Sequence, residues 1–294
     1  MTGRPDETVT LRPTMPYSLS ASLRGSAGGT RRRRDGAWEI ALRIGDEVPV
    51  LQVRQRRDGA LEIRVAQPVQ PALERIRHVL ALDLDHGPFI ARFEDDPVIG
   101  RSVRARRGMR PARLATVGQA MIAGFAGQLV TSAEARATHR ALVALLDDRC
   151  GAGPLRPPAL DEVGALPAAA AAAAGLTARR AASLIRAARR IEPGRLSAMP
   201  TPRATAYLQR ERDIGPWTAA VVLASGLGRG DIGPVGDLGL IRLCEQLLGR
   251  SATVDDTREL LARYEGWEAL AGAHLLGLPA ARRRRSRPPA RRRY

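Results

Sequence analysis

The chain has no lysine: all 47 of its Lys-plus-Arg cations are arginine. A GC-rich genome accounts for such a bias without any functional purpose, but its consequence for chemistry holds either way. No side-chain amine is available to form a Schiff base. Cysteine is almost as scarce, with Cys150 and Cys244 the two present. That excludes a disulfide framework and a four-thiolate zinc or iron–sulfur site made by this chain alone. Aromatic residues make up only 3% of the 294 residues. No apolar run reaches the roughly 18 residues of a membrane-spanning helix. Residues 1–6 lead into no apolar stretch of the kind a secretory signal requires. The expectation is a soluble cytoplasmic protein with no membrane partner.

What is present is positive charge and an ordinary core composition. Arginine outnumbers Asp plus Glu by 47 to 30, a formal net charge of +17, and 44% of residues are hydrophobic. Wholesale disorder is excluded, and a polyanionic partner is indicated. Charge alone does not choose between DNA, RNA and an acidic membrane face. Part of the excess is local, in Arg31 to Arg34, Arg282 to Arg285 and Arg291 to Arg293. Runs of this kind are usually solvated tails that add nonspecific affinity.

The length suggests about two domains, and the hydrophobic pattern changes period accordingly. Residues 1–14 are polar and expected to be disordered. A strand is expected near 17–23. Period-two alternation follows over 38–44, 49–55 and 61–66, with Arg57-Asp58-Gly59 as a hairpin turn and a helix over 71–82. This predicts an antiparallel α+β domain over 15–105. From 106 to 278 the pattern is helical, with Thr131 or Ser132 capping one helix, an alanine run at 168–174 and an Arg-rich amphipathic helix over 177–190. Residues 279–294 read as a basic tail.

The stretch Leu208-Gln209-Arg210-Glu211-Arg212-Asp213-Ile214-Gly215-Pro216-Trp217-Thr218-Ala219-Ala220-Val221 reads as helix, tight turn and helix, within about 206–226. Pro216 suits a first helical position. The N–H groups of Trp217, Thr218 and Ala219 then start a helix whose dipole favours an anion. Gly215 has no Cβ to hold a phosphate backbone away. An ordinary helical corner explains this segment equally well. Downstream lies Asp231-Ile232-Gly233-Pro234-Val235-Gly236-Asp237-Leu238, a Gly/Pro loop ending in an aspartate at a helix start. In isolation Asp237 is a plain N-cap. Twenty residues after the hairpin, the same carboxylate is also able to face whatever the hairpin holds.

Together, Ile214-Gly215-Pro216-Trp217-Thr218-Ala219 and Pro234-Val235-Gly236-Asp237 resemble the helix–hairpin–helix, Gly/Pro-Asp superfamily of base-excision DNA glycosylases. Within it the chain resembles the DNA-3-methyladenine glycosylase II family. Gln128-Leu129-Val130 and the segment from Leu176 to Ile185 are similar to further family motifs, and the likeness extends over roughly 15–278. The resemblance implies a TATA-binding-protein-like N-terminal sheet, then an all-helical two-lobed glycosylase core with the site in the cleft between lobes.

It also implies roles. Asp237 would stabilise an oxocarbenium-like state and orient water. Gln128 and Leu129 would form the wedge that fills the gap left by an extruded nucleotide. Trp217 and Trp267 would wall the base pocket. Ile214, Gly215, Trp217, Thr218 and Ala219 would form the phosphate-binding hairpin. For Leu129 and each tryptophan, plain core packing is the competing explanation. Trp217 stands where bifunctional relatives carry a lysine, which implies hydrolysis without lysine-dependent strand cleavage. The partner implied is double-stranded DNA with a damaged base, bound by a monomer.

No metal cluster and no cofactor is expected; the resemblance alone admits a monovalent cation on hairpin carbonyls. The chain departs from the family where Asp213 replaces a hairpin glycine, and where Val221 and Leu238 replace pocket tyrosines. The alternatives are a glycosylase for an oxidised or deaminated base, and a non-catalytic DNA-binding protein.

Overall fold

The computed structural model describes residues 6–23, 25, 27–65, 69–149 and 151–278. One antiparallel sheet has the strand order β1-β5-β4-β3-β2, with β1 at Glu7–Leu11, β2 at Arg31–Arg34, β3 at Ala37–Ala41, β4 at Val50–Gln55 and β5 at Leu61–Val65. Alternation decides which face is buried. In β4, Leu51 and Val53 point inward while Val50, Gln52 and Arg54 point out. In β5, Leu61, Ile63 and Val65 are buried. Helix α1 (Leu19–Ser22) and helix α2 (Val69–Val79) contribute Leu19, Ala72, Ile76 and Val79 to the same core. The expected Arg57-Asp58-Gly59 turn joins β4 to β5, with Gly59 at φ 83°.

Three expectations for the N-terminal part are corrected. Residues 1–14 do not form a disordered segment throughout, because Glu7 to Leu11 pairs with β5 in register from Val65 to Leu61. A lone β5 edge would otherwise expose unpaired backbone groups. The strand expected at 17–23 is helix α1, capped by Ser18, whose hydroxyl accepts the Ala21 N–H at 3.3 Å. Its buried Leu19 and Leu23 are spaced four apart, which suits a helix. The first arginine run is edge strand β2, not a tail. Asp35 and Gly36, at φ 47° and 76°, turn it into β3. Arg31 is buried, and Arg32 pairs with Glu39.

The rest is helical: α3 (Gly87–Phe93), α4 (Gly100–Ala105), α5 (Val117–Ala126), α6 (Ser132–Leu145), α7 (Leu160–Ala165), α8 (Ala168–Ala173), α9 (Ala178–Arg190), α10 (Pro193–Ala198), α11 (Thr201–Gln209), α12 (Pro216–Val221), α13 (Leu238–Leu248), α14 (Val254–Ala262) and α15 (Glu268–Leu275). Helix α12 runs on into a wider π-helical turn at Val222–Gly226. Two helical cores result. Phe125, Leu142, Leu184, Leu208 and Val222 belong to the first. Phe89, Phe93, Val103, Leu240 and Tyr264 belong to the second.

The second lobe therefore recruits α3 and α4, so an N-terminal unit ending at 105 does not follow the packing. Phe93 meets Tyr264 edge-on, with ring centroids 5.1 Å apart. That aromatic pair draws 87–109 away from the sheet. The basic tail expected over 279–294 lies outside the described residues.

Candidate active site

A cleft of about 1380 Å³ opens between the lobes. The first lobe supplies the α5–α6 loop and the start of α12; the second supplies the loop before α13, with Val254 and Leu276. Asp237 lies in its wall and caps α13. One carboxylate oxygen accepts the N–H groups of Gly239 at 2.7 Å and Leu240 at 3.3 Å. The other accepts the indole N–H of Trp217 at 3.0 Å. The N-cap explanation and the site explanation thus hold together. One oxygen serves the helix, while the other faces a side chain of the opposite lobe.

Trp217 is seated by glycine. A Cβ built on Gly127 would come 2.5 Å from the indole Cη2, so only glycine lets the ring lie over the end of α5. Val221 and Leu238 line the cleft, as do Val235, Val254 and Leu276. The apolar lining that the second lobe gives the cleft is aliphatic: Val235, Leu238, Val254 and Leu276. Trp267 is not part of it: the ring packs in the second-lobe core, 5.8 Å centroid to centroid from Phe89. Trp267 is therefore a core residue and its expected place in the pocket wall is corrected, whereas Trp217 lines the cleft.

The hairpin forms between α11 and α12. Ile214 is buried in the first core, and its N–H bonds the Glu211 carbonyl at 3.2 Å. It anchors the turn. Ala219 is likewise buried, and its N–H is taken by the Gly215 carbonyl at 3.0 Å. Of the hairpin residues named from sequence, Ile214 and Ala219 are therefore corrected to structural roles. Gly215, Trp217 and Thr218 line the cleft. Nothing lies within 4 Å of the Cβ position of Gly215, so the helix start faces open space.

Leu129 is 80% exposed on the cleft rim. Its φ of 51° is unfavourable for a residue with a branched side chain. It is no core leucine. Its neighbour Gln128 does not project beside it. The Gln128 amide donates to the Asp213 carbonyl at 2.8 Å and to the Thr218 hydroxyl at 3.0 Å. Gln128 is a strut between this loop and the hairpin, which corrects its expected place in the wedge; Leu129 is the side chain left projecting there. Thr131 caps α6 and exchanges hydrogen bonds with Glu134, which hold that carboxyl below its usual range.

Asp213 adopts φ 67°, the left-handed geometry that explains the glycine usual at this position. Its carboxylate is met by Arg179 and by the Ser183 hydroxyl at 2.6 Å. Arg179 first, then Ser183, lowers its pKa to about 2. Neither partner was legible from sequence, because nothing local links these α9 residues to a turn 30 and 34 residues away. The other cations on the cleft, Arg136, Arg180 and Arg242, make no ion pair among the described residues.

Two helical lobes round a cleft, a hairpin on one side and a loop aspartate on the other, are the fold of the helix–hairpin–helix DNA glycosylases. No family model matches the chain. Its relatives by sequence are DNA-3-methyladenine glycosylases and AlkA proteins. It is 27% identical over 271 residues to the DNA-3-methyladenine glycosylase of Bacillus subtilis, covering 84% of this chain and 89% of that one. It is 27% identical over 255 residues to the "probable bifunctional transcriptional activator/DNA repair enzyme AlkA" of Mycobacterium tuberculosis, covering 84% and 51%. The chain thus spans about half the length of the mycobacterial relatives it matches.

The 3-methyladenine DNA-glycosylase of Archaeoglobus fulgidus superposes with a TM-score of 0.80 over 91% of this chain and 97% of its own, at 16% identity. The 8-oxoguanine glycosylase/lyase of Clostridium acetobutylicum superposes with 0.73 over 94% and 99%, at 14% identity. At such identities these likenesses establish the fold.

Proposed function

We propose that the protein is a monofunctional base-excision DNA glycosylase that hydrolyses the N-glycosidic bond of alkylated, 3-methyladenine-like purines. The observation that carries this reading is the placement of Asp237 in the cleft, one oxygen bonded to Trp217, across from the hairpin. A base stacked in duplex DNA is out of reach, so the nucleotide is extruded at a cost of a few kcal/mol. Leu129 enters the gap. The hairpin at Gly215 grips the backbone of the damaged strand, and the base enters against Trp217 and the aliphatic wall.

The bond between C1′ and the base nitrogen breaks, with the electron pair leaving on the base. Positive charge grows on the sugar beside Asp237, which stabilises it. Water adds at C1′ and loses a proton, leaving an abasic strand. The cleft offers no evident general acid. Its lining includes no His, Cys or Tyr. Arg179 and Ser183 hold Asp213 ionised, with a pKa of about 2, and hydrogen bonds from Thr131 favour the Glu134 carboxylate. Asp237 accepts three hydrogen bonds. A base that is already cationic needs no protonation to leave, which favours alkylated purines over oxidised ones. With no lysine in the chain, the strand stays intact. The enzyme acts as a monomer on double-stranded DNA, and no step uses a cofactor.

Mass spectrometry of bases freed from methylated, oxidised and deaminated duplexes tests this. Release of 3-methyladenine-type bases with unbroken strands is expected. Release confined to oxidised or deaminated bases would move the enzyme to another lesion class. DNA binding with no release of any base would leave a non-catalytic binding protein.

A further inference from the structure

The hairpin carries a carboxylate where the proposed function puts a DNA phosphate. Asp213 stands in the turn itself, and glycine would adopt its φ of 67° without strain. An anion there repels phosphate unless something offsets it. Arg179 does so, from the first turn of α9. Its Nε reaches one carboxylate oxygen at 3.2 Å and its Nη2 reaches the other, a two-point grip. Ser183 donates to the same carboxylate at 2.6 Å and accepts from Arg186 at 3.0 Å. The Asp213 side chain is 14% exposed and that of Arg179 is 67% exposed. The carboxylate is thus covered, while the guanidinium keeps an open edge on the cleft, beside Arg180.

We propose that Arg179 is a phosphate-binding residue and Asp213 its positioning residue. Asp213 holds the guanidinium against the hairpin so that its free N–H edge meets the phosphodiester gripped there. A glycine hairpin has only backbone groups for this task; here a side-chain cation is added, aimed by the residue that replaced the glycine. The Asp213 carbonyl also takes the Gln128 amide at 2.8 Å. One residue thereby ties together the hairpin, the arginine and the loop that carries Leu129. This rests on the reading that the cleft takes DNA.

The test compares wild type, Arg179→Ala, Arg180→Ala, Asp213→Gly and the double variant Arg179→Ala/Asp213→Gly. Binding to an undamaged 20-base-pair duplex is measured across a salt series, with thermal melting as a folding control. Arg179→Ala loses a phosphate contact and leaves a bare carboxylate. It should weaken binding roughly tenfold or more and reduce the salt slope by about one. Arg180→Ala should cost less. Asp213→Gly keeps the cation but no longer aims it, so it should weaken binding by a few fold, less than Arg179→Ala, and the double variant should bind tighter than Arg179→Ala. If the pair were only a staple between α9 and the hairpin, Asp213→Gly would weaken binding as much as Arg179→Ala and the double variant would show no recovery. That result overturns the proposal, as would Arg179→Ala binding no worse than Arg180→Ala. If wild type itself shows no salt-dependent DNA binding, the functional reading fails with it; failure confined to the variants leaves that reading standing.

Discussion

The indole N–H of Trp217 lies 3.0 Å from a carboxylate oxygen of Asp237, and the two residues belong to opposite lobes of the helical core. The bond fixes the position of the carboxylate and the width of the cleft at one point. Trp217→Phe keeps an aromatic wall and removes the donor. A hydrogen bond to a charged group is worth about 1.5–3 kcal/mol. Single-turnover base release should fall roughly tenfold to a hundredfold by that measure, while affinity for undamaged duplex changes little. Equal loss of both would mean that the bond serves the fold and not the reaction.

Gly127 makes room for that indole. Gly127→Ala would place a methyl 2.5 Å from Cη2 if nothing moved. The ring must therefore shift, pulling its N–H away from Asp237. Slower base release with a cooperative melting transition is the expected outcome, together with a changed tryptophan fluorescence spectrum. An unaltered spectrum and unaltered turnover would show that the ring accommodates the methyl.

Leu129 is 80% exposed, so shortening it removes little packing. Leu129→Ala should change stability by less than about 0.5 kcal/mol, as surface substitutions do. Excision from duplex DNA should nevertheless drop strongly, because the gap left by the extruded nucleotide is no longer filled. A lesion opposite a mismatch, which unstacks more readily, should be affected less. A large stability loss with normal excision would return Leu129 to a packing role.

Asp213 makes stability depend on acid. Its pKa falls to about 2 in the folded protein through Arg179 and Ser183, below the roughly 3.9 of an unfolded aspartate. The contribution is therefore complete above about pH 4 and is lost as pH falls toward about 2. Wild type minus Asp213→Asn, compared by melting temperature across pH 2 to 7, should show a gap that closes over that window. A gap independent of pH would contradict the ion-pair account.

Much of this was legible in sequence, for identifiable reasons. The strands 50–55 and 61–65 alternate apolar and polar residues, and the hairpin and the loop aspartate are written in Gly and Pro at fixed offsets. Strand β2 was not legible, because four consecutive arginines have no apolar–polar contrast even when the first is buried. Strand β1 is a five-residue edge with little to distinguish it. The fate of Trp267 depended on which rings reached it, and Phe89 did. The roles of Gln128 and Arg179 came from α5 and α9 packing beside the hairpin within the first lobe, which no local pattern encodes.

The most direct test replaces Asp237 with asparagine, which still caps α13. Release of 3-methyladenine from methylated duplex DNA is then measured beside wild type, with melting and DNA binding recorded for both proteins. Base release should fall by roughly a hundredfold or more, with an unchanged fold and binding at least as tight. Release at the wild-type rate would remove Asp237 from the chemistry and the proposed mechanism with it.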